Sequence, residues 1–201
     1  MKVVSRIVLA VSFMFVSIAN AEIILSFDPS TQVAQPGSTV SVTVMIEGLG
    51  NGIDATLGAY DLWIGFDTSV LSFTGYSLFD NLGGVADSLD LSWGDTFDPN
   101  LVNIAETSYL SDAELAPFQP ASFALAELFF TINPFASAQT TDLFFDSGAV
   151  FNSAQLPTAF TLSGINASID VPAPATLALM GLGLLTLFVR QKRYSSSFKK
   201  S

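Results

Sequence analysis

The chain has 201 residues, half of them hydrophobic and 12% charged, with a net charge of −11. All seven cations sit at the two ends (Lys2, Arg6, Arg190, Lys192, Arg193, Lys199 and Lys200), all eighteen carboxylates lie between Glu22 and Asp170, and there is no His or Cys. This excludes nucleic-acid binding, which needs cations against phosphates, and removes from the body Ser-His-Asp, Cys-His and Schiff-base catalysis, disulfides and structural zinc.

At the N-terminus Lys2 and Arg6 precede an apolar run from Ile7 to Ile18, which is followed by Ala19-Asn20-Ala21. A cationic start, a short apolar helix and small residues before the cut make a secretory signal peptide over residues 1–21, cleaved after Ala21.

From Glu22 to Asp170 the pattern has period two. Val40, Val42, Val44 and Ile46 oppose Thr39, Ser41 and Thr43; Leu62, Ile64 and Phe66 oppose Asp61, Trp63 and Asp67. Leu89, Leu91 and Trp93 oppose Asp90 and Ser92, which places Trp93 in the core, and Ile165, Ala167 and Ile169 oppose Asn166, Ser168 and Asp170. These alternations predict half-buried strands. Phe123 to Ile132 is apolar on both faces except at Glu127 and Thr131, as for a central strand covered on both sides. Gln35-Pro36-Gly37-Ser38 reads as a tight turn. Gly48 to Gly58, Asn81 to Asp87, Asp98-Pro99-Asn100 and Asn133-Pro134 read as further breaks, and Asp112 to Pro120 as a single helical turn. Strands of this length and spacing predict an all-β antiparallel sandwich over residues 22–170.

Three segments carry a resemblance. Pro36-Gly37-Ser38-Thr39-Val40-Ser41-Val42-Thr43-Val44, the stretch from Gly58-Ala59-Tyr60-Asp61 through Phe66-Asp67 to Leu71-Ser72-Phe73, and Leu125-Ala126-Glu127-Leu128-Phe129-Phe130-Thr131-Ile132 together resemble a cohesin domain, with Phe66 where that family usually has Tyr. The resemblance implies a jelly-roll sandwich of about nine strands, related in fold to carbohydrate-binding modules. Cohesins bind dockerin domains, but no position here marks that contact surface.

The carboxylates suggest three chemistries. Asp80, Asp87, Asp90, Asp95 and Asp98, with Asn81 and Asn100 among them, are oxygen donors of the kind calcium takes, although none keeps the twelve-residue EF-hand spacing. Solvated acid that keeps the surface soluble is the plainer reading of the same residues. Two carboxylates about 5–10 Å apart could hydrolyse a glycoside, but any dense acidic surface contains such pairs. On the strand from Tyr60 to Asp67, Trp63 shares a face with Asp61 and Asp67, and an indole among carboxylates can stack on a sugar ring or anchor a protein partner.

The C-terminal segment reads Val171-Pro172-Ala173-Pro174, then fifteen residues without charge from Ala175 to Val189, then Arg190-Gln191-Lys192-Arg193. With its Pro-rich entry the apolar stretch reaches the length that a bilayer core of roughly 30 Å requires. A transmembrane helix over 175–189 would leave the basic cluster and a short tail, 194–201, in the cytoplasm and the acidic domain outside. Val171, Pro172 and Pro174, the apolar helix and the cluster Arg190, Lys192 and Arg193 resemble the PEP-CTERM sorting signal of Gram-negative bacteria over residues 171–193. Ala173 stands where that signal has its Glu, and eight residues trail past the cluster. The resemblance implies recognition by an exosortase, an integral membrane enzyme, and delivery to the cell surface.

The expectation is therefore a non-enzymatic exported protein, in which a cohesin-like module is displayed in the envelope or exopolysaccharide matrix. A carbohydrate-binding module and a calcium-dependent matrix component are the alternatives, with polysaccharide or a protein as partner and Ca2+ as the one cofactor to consider.

Overall fold

The structure is a computed structural model that describes residues 23–49, 56–152, 160–162, 166–173, 180 and 183–187. The strands are β1 (Ile23–Asp28), β2 (Thr31–Val33), β3 (Thr39–Glu47), β4 (Ala59–Gly65), β5 (Leu71–Leu78), β6 (Ser88–Asp90), β7 (Leu101–Ser108), β8 (Ser122–Ile132), β9 (Gln139–Phe151), β10 (Phe160–Leu162) and β11 (Ala167–Val171). They form two sheets, one of five strands in the order β10-β1-β3-β8-β5 and one of six in the order β2-β11-β9-β4-β7-β6.

Two sheets must share one apolar layer, and the alternation in each strand supplies it. In β3, Val42, Val44 and Ile46 are fully buried; in β4, Leu62 and Ile64 face them from the other sheet and are also fully buried. Phe66 and Phe73 meet the buried ring of Phe130 edge-on, at centroid distances of 5.2 and 5.7 Å, and Phe27 stacks on Phe145 at 4.3 Å. Such aromatic pairs add about 0.5–1.5 kcal/mol beyond their burial.

The two-sheet, all-β architecture is the one the periodicity predicts, with differences of detail. Among the described residues eleven strand segments stand where about nine are expected, three of them only three residues long. Pro29, which has no N–H for a ladder, divides β1 from β2, and these two strands then pair in different sheets. Two pairings, β1 with β10 and β2 with β11, are parallel, so the sandwich is not wholly antiparallel. Strand β8 is central, between β3 and β5, but its outer face, with Ala124, Glu127, Phe129 and Thr131, is half-buried rather than covered.

Turns follow the sequence closely. Ser38 N donates to Gln35 O at 3.0 Å around Gly37, whose φ of +83° is open to glycine. The helical turn is α1 (Asp112–Leu115), closed by a capping box between Ser111 and Glu114. Gln119 fixes the neighbouring loop, accepting from Leu57 N at 2.7 Å and donating to Leu57 O and Asn81 O at 2.8 and 2.9 Å.

The signal peptide, with Ala19 and Ala21, lies outside the described residues, as do Pro174, the cluster Arg190, Lys192 and Arg193, and the tail 194–201. Of the expected span 175–189, Met180 and residues 183–187 are described and helical, and among the described residues no helix is long and apolar enough to cross a membrane.

Two glycines give opposite tests of packing and backbone. A Cβ on Gly148 would lie 2.7 Å from Cδ2 of the fully buried Leu62 and 3.1 Å from Asp61 O, whereas one on Gly37 would meet nothing closer than 3.7 Å. Gly148→Ala is expected to cost about 2 kcal/mol through overpacking and to lower the thermal midpoint by roughly 4–8 °C. Gly37→Ala is expected to cost about 1–2 kcal/mol through its φ alone. Thermal unfolding of the two variants beside the parent checks both values.

Candidate functional site

The outer face of the six-stranded sheet is built by the pairing of β4 with β7. In that register Asp61 lies opposite Ala105 and Trp63 opposite Asn103, while Tyr60 opposite Glu106 and Leu62 opposite Ile104 point into the sandwich. After β6 the chain continues along β7 irregularly. Leu91 N donates to Ala105 O at 2.8 Å, and the Ser92 hydroxyl accepts from Ala105 N at 3.0 Å and donates to Ala105 O at 3.2 Å. Trp93 N donates to Asn103 Oδ1 at 3.1 Å, and Gly94, at φ +58°, then pairs with Asn103 through both main-chain bonds. Three residues, Leu91 to Trp93, thus oppose two on β7, the geometry of a bulge, which re-aims side chains at a sheet edge.

This overturns the core position expected for Trp93. Leu89, Leu91 and Trp93 are 43%, 48% and 56% exposed, and Asp90 between them is exposed as well, so no side chain from Ser88 to Trp93 is buried. The bulge interrupts the expected alternation and leaves Leu91 and Trp93 on the outer face. Asp90 is placed opposite Glu106 by the ladder, and Tyr76 Oη donates to Asp90 Oδ2 at 2.8 Å. These polar contacts set the register of the segment on β7.

The result is an open groove of about 500 Å³ whose lining includes Asp61, Trp63, Leu91, Trp93, Asn103 and Phe151. Trp63 is half-buried in it, and the Trp93 ring is braced edge-on by Phe97 at 4.8 Å. Asn103, 1% exposed, organises the floor. Its Nδ2 donates to Asp61 Oδ1 at 2.6 Å and to Leu62 O at 3.3 Å while its Oδ1 holds Trp93 N. Asp61 itself is exposed.

Of the face expected to carry Asp61, Trp63 and Asp67, the structure brings the first two into the groove. Asp67 shapes the turn before β5, its Oδ1 accepting from Ser69 N at 2.8 Å, and it does not line the groove. Asn103, Leu91 and Trp93 are the lining residues that the sequence reading missed. A polar Asn within the otherwise apolar run Leu101 to Ala105 was the available signal, since an amide inside a strand needs partners for its donors and acceptor. The acidic positions Asp80, Asp87, Asp90, Asp95 and Asp98 extend from the 3-10 turn Asp80–Leu82 through β6 to the loop before β7. Among the described residues no three carboxylates gather into a group that could hold a metal ion.

A second depression, of about 530 Å³, lies where Tyr76 and Leu78 of β5 approach Ser88 and Asp90 of β6, and Glu106 lines it. Glu106 is 4% exposed and accepts from Tyr60 Oη at 3.2 Å. Burial raises its pKa, the hydrogen bonds from Ser88 and Tyr60 oppose that rise, and the nearby charges of Asp90 and Asp80 add to it. Burial also raises the Tyr60 phenol well above its ordinary value, with the Glu106 charge and hydrogen bond adding to the rise, so Tyr60 remains a donor. Glu106 therefore favours folding most when protonated. That contribution is complete below the ordinary glutamate value of 4.5 and fades as pH rises through the higher folded value. Glu106→Gln, which keeps an acceptor for Tyr60, is expected to show a shallower loss of thermal midpoint between pH 4.5 and neutrality than the parent. Parallel melting curves across that range check it, and identical slopes would contradict it.

Residues 170–193 match the PEP-CTERM protein-sorting motif. No curated protein matches the chain in sequence. Among solved structures the sandwich is similar to a cohesin, CaCohA2 of Clostridium acetobutylicum, at 23% identity and a TM-score of 0.58, covering 78% of this chain and 94% of that one. It is also similar to the cohesin module of a family 33 glycoside hydrolase from Clostridium perfringens (14% identity, TM-score 0.56, 75% and 96% covered). A type I cohesin–dockerin complex from Clostridium thermocellum matches as well (13% identity, TM-score 0.54, 75% and 97% covered). At these identities the likeness is one of fold. The chain is thus a β-sandwich of cohesin-like fold that runs directly into a PEP-CTERM protein-sorting motif.

Proposed function

We propose that this protein is a non-catalytic binding module, exported and sorted to the cell surface, that engages its ligand through the groove between Trp63 and Trp93. The observation that carries the reading is the union of two features in one chain: the sorting motif over residues 170–193 and, on the sandwich before it, an outer face with Trp93 and Leu91 exposed and Trp63 half-buried. Large side chains left exposed together on a sheet face mark interaction surfaces. The cation-free body suits a role outside the inner membrane, where the basic ends remain with the cytoplasmic leaflet.

A binding role is favoured over hydrolysis by the carboxylates themselves. Glu106, whose pKa burial raises, is 4% exposed and engaged by the Tyr60 hydroxyl. Hydrolysis of a glycoside needs such an acid presented to the scissile bond. The cohesin of Clostridium thermocellum was solved with a dockerin. A protein ligand of that kind is the second reading here, favoured by the shared fold.

The sorting motif overlaps the sandwich. Its first two matched residues, Asp170 and Val171, belong to β11; Asp170 O accepts from Ala34 N at 3.0 Å, and Val171 is fully buried. Pro172 ends the ladder, since it has no N–H to offer. A cut before Val171 would remove a core side chain and is disfavoured by about 1–3 kcal/mol of lost burial. Mass spectrometry of the mature protein is expected to find a first residue of Glu22 and a C-terminus at or beyond Val171. Truncation after Val171 is expected to move the domain from the membrane and surface fractions into the soluble exported fraction. Recovery of the intact, uncleaved chain from the cytosol would overturn the surface assignment.

A further inference from the structure

We propose that the groove between Trp63 and Trp93 binds an uncharged polysaccharide chain; this names the ligand of the site on which the surface-module reading rests. Three observations point to it. First, apolar side-chain surface is available. Trp93 is 56% exposed and Leu91 48%, Trp63 is half-buried beside them, and an edge-to-face contact with Phe97 at 4.8 Å steadies the Trp93 indole. The C–H faces of a pyranose ring match flat, apolar surfaces of this kind, as other apolar ligand groups do.

Second, a hydrogen-bonding group is set beside the indoles in a fixed position. Asn103 uses both ends of its amide to tie Asp61 Oδ1 and the main chain at Trp93 and Leu62, so Asp61 cannot swing freely. Among the described residues no hydrogen bond engages Asp61 Oδ2. A carboxylate accepts only, so its natural partners are donors, and sugar hydroxyls are donors without charge. Asn103 is a positioning residue, since its own donors and acceptor are taken.

Third, charge selects among ligands. The body between Arg6 and Arg190 holds eighteen carboxylates and no cation, so an anionic polymer would be repelled along its whole length. A basic partner would be drawn first to the second depression, which Asp80, Asp90 and Glu106 line, and less to a groove whose carboxylates are Asp61 and the nearly covered Glu106, set among indoles and apolar groups. An open groove, unlike a closed cavity, admits the middle of a long chain.

The test is affinity electrophoresis of the purified full chain in detergent, in gels containing hydroxyethyl cellulose, galactomannan or mixed-linkage β-glucan as neutral polymers, and alginate as an anionic one. At least one neutral polymer is expected to retard the protein, alginate to have no effect, and raised salt to leave the retardation unchanged, because no ion pair is formed. Trp63→Ala and Trp93→Ala are each expected to weaken retardation about tenfold, and Asp61→Asn about threefold. Trp93→Phe, which keeps a ring, is expected to retain most of it and guards against a fold defect. Phe135→Ala, at a side chain 93% exposed on the turn before β9, serves as the unaffected control. No retardation by any neutral polymer, equal retardation by alginate, or full retardation of the Trp63→Ala/Trp93→Ala double variant would each overturn the proposal. Cleavage of the domain by protease added to intact cells is measured in parallel. With cleavage present and no glycan bound, the ligand assignment alone fails; with cleavage absent, the surface reading fails as well.

Discussion

The pairing of β4 with β7 sets the rest of the molecule. Its register sends Leu62, Ile64, Val102 and Ile104 into the shared apolar layer and leaves Asp61, Trp63, Asn103 and Ala105 on the outer face. One ladder therefore makes both the core and the groove, and it cannot slip by a residue without exchanging them. Two polar pairs lock it from opposite sides: Tyr60 with Glu106 inside, and Asn103 with Asp61 outside. Each satisfies groups that would otherwise be costly to cover.

The second constraint is the lack of cations in the body. The eighteen carboxylates lie in a stretch of sequence that holds no Lys or Arg, and among the described residues cohesion rests on burial and on neutral donors. Tyrosine and asparagine take the place that arginine often fills. Tyr60 donates to Glu106, Tyr76 to Asp90, and Asn103 to Asp61. A phenol or an amide holds a carboxylate without bringing a charge that must itself be desolvated. The same arrangement leaves Glu106 with a raised pKa, because nothing positive offsets its burial.

Sorting and folding share residues at the end of the sandwich. Strand β11 lies between β9 and β2 and closes the sheet with side chains that also begin the sorting motif. The domain consequently ends where the tail begins, and Pro172 marks the change.

Much of this was legible in the sequence. Apolar alternation in β3, β4 and β11 needs only a two-residue period and a single buried face, so Val42, Leu62 and Ile169 were assigned inside correctly. The turn at Gln35 to Ser38 is likewise local, because Pro and Gly carry their own dihedral preferences. The tail was legible as a string of parts at fixed spacing. Trp63 and Asp61 could be placed on one face but not given a neighbour. What tertiary structure alone decided was that the Leu89 to Trp93 segment stays at the surface. Alternation gives the period of a strand and not what covers it, and this segment is held outside by partners distant in the chain, Glu106 and Tyr76 around Asp90 and Asn103 against Trp93. The groove exists because those long-range hydrogen bonds outweighed the local preference of two leucines and a tryptophan for the interior.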